Sequence, residues 1–487
     1  MSHSKSNATK GSSSQTRMRI VKTPEDVEAL SHLNDEEKVM ARENLGKIPG
    51  GEGWNLLGND PKLQGVLHMF ELTVQELLKP DLQFVPFGPM NMACIEVARH
   101  MKCEWQAGAL SVCTASAIGT PISKEDCFHS QMGVLDFPDS KLWTDEQRMT
   151  IKFIRACLNN KMTDELYSQA HATWGQKKLL RIIAWIGFCH MWAMFINAAK
   201  VSWPKMHVAP MPNASLMDAY HSHTAKVWQD LQEVWASVTP FLKVLKQSTS
   251  ELSVQPEGVR FPIIRSAADI ETLAHLSEEE KALARENLDK IPGGEGWFLL
   301  GSDPELQGFL HIVELSIALL LAPDSQFVPF GGMNVGCIEV ARQMGCEWQA
   351  GVLNVITASA IGTWVSDENC YHSQLGMLDF PDSALWTDEQ RVTIKFIRAC
   401  LENTMTDELF DQARKTWGEQ KLLRHIAWVG FAHMWAMIIN TANVGWHKVH
   451  QLPIPDESLK QGYESHIAKI FEDLQGVWAA VTPFFKK

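Results

Sequence analysis

Pro49-Gly50-Gly51-Glu52-Gly53-Trp54 occurs again in the same chain as Pro292-Gly293-Gly294-Glu295-Gly296-Trp297, 243 residues later. The same distance separates Cys103-Glu104-Trp105-Gln106-Ala107-Gly108 from Cys346-Glu347-Trp348-Gln349-Ala350-Gly351. With this shift the chain aligns with itself from about Arg19 to its end, without an insertion or a deletion. Because so long a period occurs only twice, it indicates two fused domains and argues against a solenoid of short repeats.

The alignment predicts a tail, two domains and a linker. Residues 1–18 are rich in Ser and contain no apolar segment, which predicts a disordered tail and no signal peptide. Residues 19–245 and 262–487 are the two predicted domains, and residues 246–261 between them are the predicted linker. Two linked copies of one domain are expected to associate as a pseudo-twofold dimer within the chain.

Signals for helix starts recur inside each predicted domain. Thr144-Asp145-Glu146-Gln147 precedes an apolar run that ends at Leu158, and Thr163-Asp164-Glu165-Leu166 opens the next helix. Asp60-Pro61 and Pro80-Asp81 bracket a segment with apolar residues at every third or fourth position, which is the period of a helix. Strand signals are scarce, so the predicted fold class is all-α.

The composition limits the class of partner. The chain has 487 residues, of which 45% are hydrophobic, and its formal net charge is −13. Nucleic-acid binding requires clustered Lys and Arg to neutralise phosphates, and the sequence contains no such cluster. The expected partner is therefore a small apolar or aromatic molecule, and no nucleic acid is expected.

The longest apolar stretch is borderline for a membrane span. It covers residues 182–199, includes His190 and Asn197, and recurs at residues 426–442. We interpret both copies as buried core helices. This interpretation predicts a cytoplasmic protein without a membrane segment.

The cysteines favour a reduced protein. The sequence has ten Cys residues and no Cys-x-x-Cys pair, so free thiols are expected and a disulfide framework is not. Eight of them form four pairs related by the repeat, for which buried packing is the expected role: Cys94, Cys103, Cys127 and Cys157 with Cys337, Cys346, Cys370 and Cys400.

One helix carries a family resemblance. Glu104-Trp105, followed by a small-residue segment through Ala109 to Gly119, resembles the Glu-Trp helix of the carboxymuconolactone decarboxylase-like (AhpD-like) family. Trp174-Gly175-Gln176-Lys177-Lys178-Leu179-Leu180 and the apolar helix that follows it are also similar to the C-terminal half of that family. The resemblance implies two AhpD-like helical domains and a tailoring enzyme of secondary metabolism, of the decarboxylase, isomerase or cyclase type. It also implies that the fused pair can assemble further.

The sequence departs from the family at its catalytic positions. Peroxidase members need a Cys-x-x-Cys pair, because one thiolate attacks the peroxide and a second thiol resolves the product. Decarboxylase members carry His three residues after the Glu-Trp pair, where this chain has Gly108 and Gly351. Peroxidase activity is therefore not expected, and the acid–base group must come from elsewhere in the chain.

Recurring histidines are the candidates for this role. His190 lies in an apolar segment with Asn197 on the same helix face, and His433 and Asn440 repeat the arrangement. One interpretation is a buried imidazole hydrogen-bonded to a carbonyl or to a partner helix. The other is a general acid or base that burial keeps neutral near pH 7.

A second candidate is a His-x-x-Glu pair. His68 and Glu71 are adjacent on one helix face, and His311 and Glu314 repeat the spacing. The carboxylate can orient the imidazole for catalysis, or both side chains can bind a metal. A simple ion pair is the alternative.

A third candidate follows the Glu-Trp helix. His129 lies in Cys127-Phe128-His129-Ser130-Gln131 and recurs as His372, and it could replace the missing family histidine. If His129 meets His68, Glu71 and His190, the four side chains would suit iron, manganese or zinc. No organic cofactor is expected, and a divalent metal is the alternative.

Several side chains are predicted to contact the substrate, although core packing also explains the aromatic ones. They are Trp105, Trp348, Asn197, Asn440, Glu104, Glu347, Trp192 and Trp435. The leading hypothesis is a small-molecule enzyme that uses His and Glu in an apolar pocket. The alternatives are a metal-dependent lyase or oxygenase and a pseudo-enzyme that binds a ligand without catalysis.

Overall fold

The structure is a computed structural model, and its described residues are helical and contain no strand. They are 16–48, 51–81, 83, 87–117, 138–139, 143–203, 258–291, 295–324, 326, 330–360, 381–382 and 386–446. The all-α prediction is therefore confirmed. We call residues 16–203 the first half and residues 258–446 the second half.

The two halves contain corresponding helices. Those of the first half are α1 Pro24–Glu28, α2 Asp35–Lys47, α3 Glu52–Leu57, α4 Pro61–Leu78, α5 Pro89–His100, α6 Glu104–Ala117, α7 Asp145–Leu158 and α8 Asp164–Ala198. Those of the second half are α9 Ala267–Glu271, α10 Glu278–Lys290, α11 Glu295–Leu299, α12 Pro304–Leu321, α13 Gly332–Met344, α14 Glu347–Ala360, α15 Asp388–Leu401 and α16 Asp407–Thr441. A 3₁₀ turn at Leu300–Ser302 joins α11 to α12.

Local capping sets where the helices begin. The Thr144 side chain accepts a hydrogen bond from the backbone N–H of Gln147, whose own side chain accepts one from the Thr144 N–H. Thr163 caps α8 in a similar way through the N–H of Leu166. Each cap satisfies backbone donors that the first helical turn leaves free. The helix starts predicted at both threonines are confirmed.

The long helices α8 and α16 each contain a break. Gly175 has φ of 73° and Gly418 has φ of 78°, in the left-handed region that glycine adopts without a steric penalty. By length and composition α8, α12 and α16 are apolar enough to cross a membrane. In α8 and α16, however, 94% of the apolar window is buried by protein. Both predicted segments are buried in the protein, and the absence of a membrane segment and the cytoplasmic location remain predictions.

The core is shared between the halves. One hydrophobic cluster contains residues of both halves, while small separate clusters lie under the α1–α2 and α9–α10 pairs. At its centre α8 packs against α16, with Gly187 against Met434 and Gly430 against Met191. The two contacts are equivalent under the 243-residue shift. The missing side chain of each glycine allows the two helix backbones to approach closely.

Arginines cross between the halves in the same reciprocal way. Arg181 binds Asp303 with 2.5 Å between Nε and Oδ2, and Arg424 binds Asp60 at the same distance. Both aspartates are fully buried and also cap the helices α12 and α4. Each half therefore supplies the cation for a buried carboxylate of the other half.

The ordered contacts begin slightly before the predicted domain starts. Arg17 donates to Asp407, with 2.6 Å between Nε and Oδ1, and Met18 is buried, although both lie in the predicted tail. Arg260 donates to Asp164 at 2.7 Å from within the predicted linker. These arginines are equivalent under the repeat, so the corresponding contact is present in both halves.

Adding one methyl group at the centre of the shared core is expected to be costly. A Cβ on Gly187 would lie 2.2 Å from Cγ and 3.0 Å from Cα of Met434, so the helices must move apart. We expect Gly187→Ala to lower the free energy of unfolding by about 1–3 kcal/mol, the usual cost of overpacking. Urea unfolding followed by circular dichroism measures this change.

Gly65→Ala is the matched control. Gly65 also lies inside a helix, but no atom stands within 4 Å of the position of its Cβ. We expect this variant to be more stable than the parent by up to about 1 kcal/mol, because alanine is the better helix former. Equal stability of Gly187→Ala and the parent would contradict the close approach of α8 and α16.

Candidate functional site

Two buried carboxyl groups have amides as their partners. Glu71 on α4 is buried and accepts a hydrogen bond from Gln83, with 3.2 Å between Oε1 and Nε2. Glu314 on α12 is partly buried and accepts one from Gln326, with 3.5 Å between the same atoms. Desolvation raises the pKa of each carboxyl to about 7, and the amide hydrogen bond opposes it only in part.

Thiols lie beside these carboxyls. Burial raises the pKa of the Cys189 thiol well above its usual value, and the nearby Cys94 and Glu71 raise it further. In the second half burial raises the pKa of Cys337, and the charge of Glu314 adds to the effect. The carboxyl and the thiol therefore lie close enough in each half to share one electrostatic environment.

A glutamine of the Glu-Trp helix completes each cluster. Gln106 donates from Nε2 to the carbonyl oxygen of Cys189 at 3.5 Å, and Gln349 donates to the carbonyl oxygen of Cys337 at 3.3 Å. Both side chains are buried, and neither Oε1 has a hydrogen-bond partner among the described residues. A buried acceptor without a partner is costly, so a ligand that donates a hydrogen bond would satisfy it.

We call these clusters the Glu71 site and the Glu314 site. The Glu71 site comprises Glu71, Gln83, Cys94, Gln106 and Cys189, and the Glu314 site comprises Glu314, Gln326, Cys337 and Gln349. With a pKa of about 7, each carboxyl is present in both protonation states at neutral pH. Such a group can donate and accept protons, as a general acid–base catalyst requires.

The most apolar histidines stack on each other. The rings of His190 and His433 are parallel within 3°, with 3.9 Å between their centroids, at the contact of α8 with α16. Burial lowers the pKa of both, that of His433 to about 3, and the nearby His100 lowers both further. Neither Nδ1 has a hydrogen-bond partner in the described part of the chain. The lowered pKa favours the neutral form of both imidazoles, and their stacked geometry favours the buried-histidine interpretation.

The asparagines predicted to accompany them contact the backbone instead. Asn197 donates to the carbonyl oxygen of Met101, and Asn440 donates to that of Met344, each at 2.8 Å. These bonds hold the end of each long helix against the helix that precedes the Glu-Trp motif. A structural role accounts for both asparagines.

The His-x-x-Glu spacing does not join its two side chains. His68 packs edge-on against Trp54, with 5.2 Å between ring centroids, while Glu71 takes its hydrogen bond from Gln83. His311 packs in the same way against Trp297 at 4.9 Å. Each imidazole therefore belongs to an aromatic cluster on one side of α4 or α12.

The aromatic residues predicted to line a pocket pack closely with one another. Trp192 lies 4.5 Å from Trp54, and Trp435 lies 4.5 Å from Trp297, measured between ring centroids. Trp105 donates from Nε1 to Glu52 at 3.3 Å. These contacts favour the core-packing alternative for Trp105, Trp192 and Trp435.

The acidic residues of the Glu-Trp motif are separate from the carboxyl–thiol clusters. Glu104 and Glu347 are exposed to solvent, and Trp348 beside Glu347 is buried. Their predicted contact with a substrate in a buried site is therefore not supported by their position. The exposure agrees with the helix-face alternative.

The space for the missing family histidine is filled. A Cβ on Gly108 would lie 2.4 Å from the indole of Trp203, and one on Gly351 would lie 2.3 Å from Trp446. No larger side chain fits there unless the indole moves away. This packing gives a physical reason for glycine at both positions.

The metal hypothesis stays a prediction. Within the described ranges, no group of three or more His, Cys, Asp or Glu side chains is placed to hold a metal ion. The hypothesis requires His129, which lies outside the described residues, as does its repeat equivalent His372. His68 and His190 are held in separate aromatic contacts, with Trp54 and with His433.

Comparisons with known proteins identify no relative of this chain. No protein-family model, no curated protein and no solved structure matches this chain. The AhpD-like resemblance therefore remains a prediction from the motifs alone. The chemistry has to be argued from the residues of the two sites.

Proposed function

We propose that this chain is an enzyme that moves protons on a small, largely apolar substrate, with Glu71 and Glu314 as its acid–base groups. The observation that carries the proposal is a core carboxyl in each half that accepts a hydrogen bond from an amide, Glu71 from Gln83 and Glu314 from Gln326, and desolvation raises the pKa of both to about 7. Decarboxylation, isomerisation and cyclisation all need a group that takes or gives a proton at neutral pH. The proposed enzyme needs no organic cofactor.

The carboxyls suit this role better than the stacked histidines. A base with a pKa of about 3, as burial gives His433, is a weak proton acceptor at neutral pH. The rings of His190 and His433 also cover each other on one face. Glu71 accepts a hydrogen bond from Gln83 through Oε1, and its raised pKa of about 7 suits proton transfer at neutral pH.

The substrate is proposed to carry a hydrogen-bond donor. The unsatisfied Oε1 of Gln106 and that of Gln349 would accept from a hydroxyl or carboxylic acid group. Apolar residues of the shared core, which include Cys94, Cys189 and Cys337 of the two sites, suit a hydrocarbon skeleton. A small hydroxy, enol or carboxylic acid compound combines the two properties.

We propose further that the halves are two AhpD-like domains related by a pseudo-twofold axis. Reciprocal contacts support this arrangement: the Arg181–Asp303 pair has its counterpart in Arg424–Asp60, and His190 stacks on its own repeat. An isologous interface has this property, because each contact between i and j is matched by one between j and i. The enzyme would then have two active sites in one chain.

Deuterium exchange tests the proton transfer even while the complete reaction is undefined. The full chain is incubated in D₂O with a panel of apolar β-keto acids, unsaturated lactones and enolisable ketones, and NMR follows C–H exchange and product formation. We expect Glu71→Gln combined with Glu314→Gln to reduce the rate for the accepted substrate at least ~100-fold, the usual loss for a general acid or base. Each single variant is expected to retain the activity of the site that is not substituted.

Glu76→Gln is the matched control for this experiment. Glu76 lies on the same helix as Glu71, but its side chain is 47% exposed. Its replacement is expected to leave the exchange rate unchanged. Parent rates in the double variant would refute the role of the carboxyls, and binding without any exchange by the parent chain would favour a non-catalytic binding protein.

A further inference from the structure

The first half holds two thiols in direct contact. The sulfur atoms of Cys94 on α5 and Cys189 on α8 are 3.1 Å apart, and both side chains are buried. A disulfide bond is about 2.05 Å long, so the sulfurs need to approach by only about 1 Å. Among the seven cysteines whose side chains are described, these two form the thiol–thiol contact.

The second half lacks this pair. The residue equivalent to Cys94 is Cys337, but the residue equivalent to Cys189 is Ala432. Ala432 is buried at the same position of α16, so the fold accommodates alanine there. The chain thus contains its own comparison between a half with two thiols and a half with one.

We propose that Cys94 and Cys189 form a reversible disulfide, with small peroxides as the oxidant and dithiols as the reductant. Because both thiols are buried, a small uncharged oxidant is the class that can reach them. The disulfide would link α5 to α8 inside the Glu71 site and leave the Glu314 site unlinked.

The reaction balances with peroxide alone. One cysteine sulfur attacks an oxygen of hydrogen peroxide, the O–O bond breaks, and the leaving hydroxide takes the proton of that thiol, so that a sulfenic acid and one water form. The second sulfur attacks the first, the S–S bond forms and the S–O bond breaks, and the hydroxyl leaves with the second thiol proton as another water. The cysteines lose two electrons and two protons in total, and the peroxide receives them.

The disulfide is expected to alter the Glu71 site. The charge of Glu71 acts on Cys189, and Gln106 is held by the carbonyl oxygen of Cys189, so moving this residue changes the surroundings of both. Oxidation would therefore change proton transfer at one of the two sites. This consequence rests on the proposed function, whereas disulfide formation does not.

Peptide mapping tests the disulfide directly. The full chain is treated with hydrogen peroxide, alkylated with N-ethylmaleimide in denaturant, digested without reductant and analysed by mass spectrometry. We expect one cross-linked peptide that joins Cys94 to Cys189 and disappears after dithiothreitol. Recovery of both residues as alkylated thiols, or as separately oxidised sulfurs without the cross-link, would overturn the proposal.

Two variants make the result specific to the position. Cys189→Ala reproduces the residue of the second half, so it is expected to fold and to give no cross-link. Ala432→Cys is expected to create a second cross-link, to Cys337. Circular dichroism checks that both variants fold, and absence of the new cross-link in folded Ala432→Cys would contradict the geometric argument.

A combined variant separates this proposal from the proposed function. With Glu314→Gln only the Glu71 site remains, and oxidation is expected to change its exchange rate unless Cys189→Ala is also present. If the disulfide forms and the exchange rate does not change, only the coupling to Glu71 is refuted, and the disulfide itself stands. Exchange that is absent both before and after oxidation would instead refute the proposed function and leave the disulfide in place.

Discussion

Arg181→Met is expected to lower the free energy of unfolding by about 3–5 kcal/mol, the range for breaking a buried ion pair on one side. Arg181 donates to Asp303 through Nε and Nη2, to Glu305 at 2.8 Å and to the carbonyl oxygen of Leu77 at 2.6 Å. The Asp303 carboxylate is fully buried and would lose its cation. Removing the arginine therefore leaves a buried charge that the N-terminus of α12 still stabilises in part.

Arg42→Met is the control for this prediction. Arg42 forms its ion pair with Glu28 at the surface, where the two side chains are 40% and 56% exposed. Exposed pairs contribute about 0–1 kcal/mol, so its loss is expected to be small. Urea unfolding of both variants and of Arg424→Met gives the comparison. A loss below about 1 kcal/mol for both Arg181→Met and Arg424→Met would show that the crossing arginines do not hold the halves together.

The contribution of Glu71 to stability is expected to fall as the pH rises from about 4.5 to about 7. The pKa of Glu71 is raised from 4.5 to about 7, so the folded chain binds a proton that the unfolded chain has released. The stabilisation by that proton is complete below pH 4.5 and is lost as the pH passes 7, a change of about 3 kcal/mol. Glu314 is expected to act in the same direction, because its pKa is also raised to about 7.

A comparison of the parent chain with a Glu71 variant separates the pH-dependent contribution of Glu71 from that of the buried histidines. Burial lowers the pKa of His311, His425 and His433 to about 3, so these residues destabilise the fold as the pH falls below their ordinary pKa of 6.5. The difference in unfolding free energy between the parent chain and Glu71→Gln cancels that contribution. We expect this difference to change by about 3 kcal/mol between about pH 4.5 and about pH 8. A difference that does not depend on pH would show that Glu71 has an ordinary pKa.

The helices can be predicted because their signals are local. The Thr144 and Thr163 caps lie within four residues of the backbone groups that they satisfy, and the apolar stripe of α4 needs only the helical period. The stacking of His190 on His433 cannot be predicted in this way. The spacing of residues along α8 defines one face of that helix. It does not show that the equivalent face of α16 packs against it.

The Glu71 and Glu314 sites can be predicted only in part, because spacing along one segment does not reveal contacts with another. The spacing of Glu71 from His68 marks it as a candidate, yet its partner is Gln83, which follows the end of α4 and folds back against it. The family resemblance points to Glu104 and Trp105 and passes over the neighbouring Gln106. The recurrence of Gln83 as Gln326 and of Gln106 as Gln349 is the signal in the sequence that could reveal both glutamines.

The crossing of the two arginines also bears on how the chain is made. Asp60 precedes its partner Arg424 by 364 residues, so the ribosome must add this whole length of chain before the pair can form. Until then Asp60 at the start of α4 has not yet paired with Arg424, and Arg181 has not yet paired with Asp303. Two nascent first halves on neighbouring ribosomes carry the matching groups for each other. Joining the halves in one polypeptide gives each half its partner within the same chain.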